Sequence, residues 1–367
     1  MADKALIALN REQLLKRIFP DNIPVLWCPL LTHYDDHGAI DHARMAAHLR
    51  HLAPDVKGFL IPGSTGDGWE LTDAESAQLL EIALGQAQEL RLHLLIGVLK
   101  PDVEAALSAI REIVERIKSR TRVRDAQAAL LKARVCGFAV CPPRGQDLSQ
   151  EELGRALSSI LQAGLPTALY QLPQVTQNEL SPELVSSLAT RFENFLLFKD
   201  SSGADRVVLS GKSLGGVFAV RGAEGDYARW LAAAGGPYQG FLLSTANCFA
   251  PHFSQLINAL SRNGPTTTPS PAKGPPAPKP SAAARQMSDR LTAVIQEVFG
   301  LVKGLPDGNP YANANKAIDH FFAFGPRALS VLPPRLHGGS RLPAEVMRAT
   351  GEILSRHGFA PGYGYLE

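Results

Sequence analysis

"TALYQLPQVTQNELSPELVSSLATRFENFLLFKDSSG" (residues 167–203) holds the pattern that decides the fold. Two short apolar runs, 167–172 and 195–199, flank a helical stretch at 181–192 that opens on Ser181, with Pro182 in the first helical position. Phe195, Leu196, Leu197 and Phe198 show no polar alternation, as in a strand covered on both faces. Strand, helix and strand in this order imply parallel pairing through a crossover. The second strand ends in Lys199, where an ammonium is costly to desolvate. Such a lysine either snorkels or pairs with Asp200, or it is kept neutral enough to attack a carbonyl.

The same unit repeats in both directions. Apolar runs at 23–31, 58–63, 93–98, 136–141, 217–222 and 240–244 bring the number of strand candidates to eight. Amphipathic stretches lie between them. One is 73–90, which follows Thr72 with Glu75 in capping-box position, and another is 149–164. Eight strand–helix repeats with apolar strands predict an α/β protein, a closed (β/α)8 barrel. An open doubly wound sheet is the competitor, but no Gly-rich turn follows the first strand.

The barrel is expected over 23–263, behind an N-terminal surface helix within 1–22. Two stretches exceed a minimal barrel. "VERIKSRTRVRDAQAALLKAR" (114–134) makes one crossover long and basic and reads as an extended or additional surface helix. In "GPTTTPSPAKGPPAPKPSAAA" (264–284) seven prolines fall between Pro265 and Pro280, a composition that builds no core and predicts a disordered insert. Helical periodicity resumes at 285, so 285–367 reads as a C-terminal helical extension.

Composition narrows the function classes. Lys and Arg number 37 against 35 Asp and Glu, so the charge balance gives no reason to invoke nucleic acid or an anionic membrane. No apolar run is long enough to span a bilayer, and the first twenty residues lack the continuous apolar core of a signal peptide. Cys28, Cys136, Cys141 and Cys248 are widely spaced, which fits reduced thiols and a cytoplasmic protein.

In a parallel barrel the chemistry stands where the strands end. That rule collects Ser64 and Thr65 between glycines, Tyr170, Lys199, and the loops "RGAEGDY" (221–227) and "STAN" (244–247). An imine-forming lysine needs its free amine, which desolvation supplies by lowering the pKa. A phenol can give and take the proton that imine formation moves. Glycines let short hydroxyls and backbone amides approach a carboxylate. Each part also has a structural reading: a tight glycine turn, a packed tyrosine, and solvated loop acids at Asp200 and Glu224.

Together these residues resemble the dihydrodipicolinate synthase and N-acetylneuraminate lyase superfamily of Schiff-base-forming, pyruvate-handling barrels. "GSTGDGWELTDAE", "LYQLPQVT", "FKDSSG", "STAN" and "NPYANANKAIDHF" are similar to its segments, in the same order. The resemblance implies that Lys199 is the imine lysine, Tyr170 the proton relay, and Ser64 and Thr65 the hold on the 2-oxo acid carboxylate. It further implies substrate contacts at Ser201, Gly222, Glu224 and Ser244, and a homo-oligomer, a dimer or a tetramer built from dimers. The implied partners are a small 2-oxo acid, pyruvate above all, and an aldehyde, with no nucleic acid and no membrane. The imine is the electron sink, so the expected chemistry calls on neither cofactor nor metal.

The departures concern the second substrate. "CPPRG" (141–145) has no tyrosine where the synthases carry a pair. Val175 stands where they have an arginine, with Arg144 as a possible replacement. Asp67 replaces the usual glutamate and Gln171 the usual asparagine. Lysine biosynthesis is therefore doubtful, and an aldolase, a dehydratase of the same superfamily or a non-catalytic 2-oxo acid-binding barrel fits the sequence. A metal-dependent aldolase would use the five histidines of "HYDDHGAIDHARMAAHLRH" (33–51), but these lack a tight ligand spacing and read as solvated.

Overall fold

A computed structural model describes residues 9–261 and 280–367. Eight parallel strands close into a barrel in chain order: β1 Leu26–Pro29, β2 Gly58–Ile61, β3 His93–Val98, β4 Val135–Val140, β5 Thr167–Gln171, β6 Phe195–Asp200, β7 Phe218–Arg221 and β8 Gly240–Leu242. Closure is made by β1 and β8, which pair Leu26 with Phe241 and Trp27 with Leu242. The expected (β/α)8 architecture is the observed one. The ladders are shorter than several apolar runs, because pairing stops where the chain turns into its loops.

Side-chain alternation sorts each strand. Outward residues such as Phe59, Ile96, Phe138, Leu169, Phe198 and Phe241 pack under the surrounding helices. Inward residues Trp27, Leu60, Leu95, Ala168, Leu197, Val220 and Leu242 fill the barrel and make a dry floor. The next inward position along β5 and β6 belongs to Tyr170 and Lys199, which are register partners.

The helix Arg11–Ile18 caps the amino end of the barrel and is no mere surface helix. Leu14 and Ile18 join the interior cluster, and the buried Arg11 donates to the carbonyls of Phe195 and Phe192 at 2.8 and 2.7 Å, and also to those of Ala189 and Gly215. An amphipathic helix with one buried arginine reads as exposed in sequence. Here the guanidinium satisfies carbonyls at the ends of other elements. Residues 1–8 lie outside the described residues.

The long basic crossover resolves into helices Val103–Thr121 and Ala126–Lys132, whose apolar faces, Ile110, Val114, Ile117, Ala129 and Leu130, are buried. The capping box at Thr72 and Glu75 is formed, as are the start at Ser181 and Pro182 and a second box at Ser149 and Glu152.

Most of the proline-rich stretch, 264–279, lies outside the described residues. The chain is helical again from Ala282, and three helices follow: Ala282–Val302, Pro310–Phe324 and Ala344–Arg356. The middle one is buried over most of its surface. It packs against the turn after β2, so the extension forms part of the carboxyl-end face of the barrel.

Candidate active site

Lys199 lies 4 % exposed at the end of β6, among the carboxyl ends of its neighbours. Its Nζ sits 3.8 Å from the centroid of the Tyr170 ring, over the face of that ring. Among the described residues no carboxylate forms an ion pair with it. Asp200, offered in sequence as its partner, alternates to the other side of the strand. There it accepts from the Ser202 amide at 2.9 Å, from Gln171 at 3.3 Å and from the Tyr238 hydroxyl at 3.3 Å. Burial therefore dominates and draws the Lys199 pKa down from 10.5 to about 7, against weaker opposing fields that include Glu224. Burial thus favours the neutral amine near physiological pH.

Tyr170 is also buried, which pushes its phenol up. Its hydroxyl lies 3.4 Å from Ser64 Oγ, and Ser64 in turn accepts from Trp69 Nε1 at 3.0 Å. Ser64 and Thr65 occupy a buried one-turn 3-10 helix, Ser64–Gly66, directly after β2. Ser201 lies within reach of the Tyr170 hydroxyl, on the inward side of the chain beyond Lys199. Gly222 is where the lysine needs space: a Cβ there would stand 2.1 Å from Ser201 Oγ and 2.9 Å from Lys199 Cε.

Glu224 is not a solvated loop acid. Its Oε1 accepts from Ser244 Oγ at 2.6 Å and from the Thr245 amide at 3.1 Å; its Oε2 accepts from Thr245 Oγ1 at 2.7 Å and from the Tyr227 hydroxyl at 2.8 Å. Four donors hold this carboxylate, which stands close enough to Lys199 for its field to be felt there.

All eight residues singled out in the sequence, Lys199, Tyr170, Ser64, Thr65, Ser201, Gly222, Glu224 and Ser244, line one cavity of about 700 Å³. Sequence reasoning missed its outer wall, formed by Trp69, Leu172, Ile295, Phe299 and Tyr311. It also missed Asn309 and Lys316. Asn309 donates to the Ser64 carbonyl at 3.0 Å and to Asp67 at 3.3 Å, and Lys316 pairs with Asp67 at 2.8 Å, fully buried. The available signal was "NPYANANK": a polar run within an otherwise apolar helix needs partners. Asp67 is thus a tether between the β2 turn and the C-terminal helices. Arg144 does not enter the cavity and instead stacks over Trp69, 4.4 Å from the ring centroid.

The histidines are divided. His37 and His42 are exposed, whereas His33 and His48 are buried, contrary to the solvated reading. His33 Nε2 lies 2.9 Å from His48 Nδ1, and His48 Nε2 lies 2.9 Å from the Asn247 carbonyl. Asp319 is next to both, and its carboxylate is taken by Arg44 at 3.0 Å and by the Tyr365 hydroxyl at 3.1 Å. His33, His48 and Asp319 stand close enough to share an ion, yet their facing lone pairs are engaged in these bonds and a guanidinium abuts the group. The arrangement ties the barrel to the extension.

The sequence profile of the dihydrodipicolinate synthetase family matches residues 125–270, which include the β4 to β8 face carrying Tyr170 and Lys199. The match covers about two fifths of the chain, and over that part the chain is similar to the family. Its relatives include an uncharacterized DapA-like lyase of Rhizobium meliloti, 25 % identical over 47 % of this chain and 51 % of that one. The 4-hydroxy-tetrahydrodipicolinate synthases of Agrobacterium fabrum (26 %; 63 % of this chain, 71 % of that one) and Xylella fastidiosa (32 %; 44 % and 48 %) also match. The chain spans about half the length of most of the curated relatives it matches. Among solved dihydrodipicolinate synthase-family folds, YagE of E. coli K12 in complex with pyruvate superposes at a TM-score of 0.68, with 18 % identity over 92 % of this chain and 99 % of that one. A monomeric dihydrodipicolinate synthase variant superposes at 0.66, with 14 % identity over 92 % and 97 %.

Proposed function

We propose that this chain belongs to the dihydrodipicolinate synthetase family and is a Schiff-base carbon–carbon lyase that joins pyruvate, or a related 2-oxo acid, to an aldehyde or cleaves the product. The supporting observation is a lysine buried at the end of a barrel strand, without a counter-ion among the described residues and drawn down to about 7. The neutral Nζ attacks C2 of the 2-oxo acid. The carbinolamine loses its hydroxyl as water, taking a proton from Tyr170, and leaves the iminium. Loss of a C3 proton gives the enamine, which attacks the aldehyde carbon, and the new alkoxide is protonated. Water then releases the product and restores the amine.

In this reading Ser64 and Thr65 hold the carboxylate, and Ser64 also exchanges a proton with Tyr170. Trp69 donates into Ser64, which leaves the Ser64 hydroxyl hydrogen to point at Tyr170. Glu224 is the fixed counter-charge of the iminium, with Ser244 orienting it. Ser201 and Gly222 shape the space beside the imine. Assembly as a homo-oligomer and a cytoplasmic location belong to the same reading. The location is supported by four free cysteines, all buried, and no helix among the described residues is long and apolar enough to cross a membrane.

The test is borohydride reduction in the presence of pyruvate, read by peptide mass spectrometry. A pyruvyl adduct on the peptide holding Lys199, absent from a folded Lys199→Ala variant, is expected. No adduct with pyruvate or other 2-oxo acids overturns the reading.

A further inference from the structure

The cavity around Lys199 has two chemically different ends. At the floor stand the lysine, the phenol and the hydroxyls. The outer wall is apolar and aromatic: Trp69, Leu172 and Val175 face Ile295, Phe299 and Tyr311 from the C-terminal extension. Leu172 and Ile295 are almost fully buried. Phe299 and Tyr311 meet edge to face at 4.8 Å, and Trp69 is held flat by Arg144 on one side.

Several polar groups of the wall are already engaged. The Gln174 side-chain amide donates to the Ser201 carbonyl at 3.1 Å. Asn309 donates to Ser64 and Asp67 and caps its own helix through the Ala312 amide. Glu224 accepts four hydrogen bonds, so its carboxylate has little capacity left for a polyol. Among the described residues the only cations lining the cavity are Lys199, which the imine consumes, and Lys303, which is exposed at the rim. A second carboxylate deep in the acceptor half would meet Val175 and Leu172, and the nearest guanidinium of the wall, Arg144, lies over the Trp69 ring and does not line the cavity. At about 700 Å³ the cavity also exceeds the needs of pyruvate and a two- or three-carbon aldehyde.

We infer that the acceptor aldehyde carries an apolar, aromatic substituent that lies between Trp69, Val175 and Phe299. This rests on the Schiff-base reading and adds the substrate class of the second half-site. A flat hydrocarbon face desolvates this wall without stranding a polar group, whereas a carboxylate or a row of hydroxyls would lose its hydration uncompensated.

The experiment compares initial rates of pyruvate consumption with benzaldehyde, succinic semialdehyde and glyceraldehyde, beside borohydride trapping of pyruvate alone. The expected result is a kcat/KM for benzaldehyde at least about tenfold above either alternative. Val175→Arg is expected to reverse the order of benzaldehyde and succinic semialdehyde. Phe299→Ala should lower the benzaldehyde value about tenfold while leaving pyruvate trapping at Lys199 intact, which shows that the variant folds. Preference for succinic semialdehyde or glyceraldehyde, or no use of benzaldehyde, with pyruvate still trapped, overturns the acceptor assignment alone. Failure to trap pyruvate overturns the Schiff-base reading and this assignment with it.

Discussion

Lys199 gains its reactivity at a cost to stability. Holding the folded-state amine near 7 against an ordinary 10.5 costs the fold up to about 5 kcal/mol. Between those values the unfolded chain binds a proton that the folded chain lacks, so the penalty is complete below pH 7 and fades as pH rises towards 10.5. Lys199→Met is therefore expected to abolish imine formation and raise the melting temperature by a few degrees at pH 6.5. That gain should shrink at pH 9.5 in thermal scans. In the unsubstituted protein the rate of pyruvate trapping should climb with pH up to about 7 and then level off, because only the neutral amine attacks. Glu224 contributes through its charge. Glu224→Gln removes a field that raises the Lys199 pKa, so the rising limb of that profile should move to lower pH. Trapping should also slow by about tenfold, since the iminium loses its counter-ion. A rate loss with an unmoved limb would make Glu224 a structural residue only.

At the scale of elements, the turn after β2 is positioned from a distance. Asp67, at the end of that turn, receives Lys316 and Tyr34 and is approached by Asn309, so the helix Pro310–Phe324 fixes where Ser64 and Thr65 stand. Lys316→Met leaves a buried carboxylate without its cation, a change that costs about 3–5 kcal/mol. Calorimetry should show a melting temperature lower by roughly 5–10 °C. Adding Asp67→Asn should recover at least half of that loss, because the uncompensated charge is then gone. If the double variant is no better than the single one, packing of the lysine stem and not its charge carries the contact. These partners are 249 positions apart in the chain, which is why Asp67 reads in sequence only as an altered family loop.

Over the whole molecule, buried histidines stand along the contact between barrel and extension: His33 faces Asp319, and His320 follows Asp319 on the helix Pro310–Phe324. Burial, with Arg44 beside it, holds His33 well below its ordinary value, and burial brings His320 down to about 4. Below pH 6.5 the unfolded chain takes up protons that these side chains refuse in the fold. His320 then removes about 1.4 kcal/mol per pH unit as the solution is acidified towards pH 4, and His33 adds to the loss in the same direction. The urea midpoint is expected to fall between pH 7 and pH 5, and to fall less steeply in a His33→Asn, His320→Gln variant. An unchanged slope would show that carboxylates elsewhere set the acid limit.

What the sequence by itself determined is local. Apolar runs of strand length, helices opened by Thr72, Ser149 and Ser181, and a lysine closing the run at 195–199 are short-range facts. Their repetition was enough for the barrel and for the carboxyl-end positions of Tyr170 and Lys199. Only the tertiary structure decided that Lys199 faces a ring and not Asp200. It alone decided that Glu224 is saturated with donors, that His33 and His48 are interior, and that Phe299 and Tyr311 complete the site. The physical reason is the same in each case. A side chain's chemistry depends on whether water or a particular partner surrounds it, and those partners arrive only when the barrel closes and the C-terminal helices pack onto it.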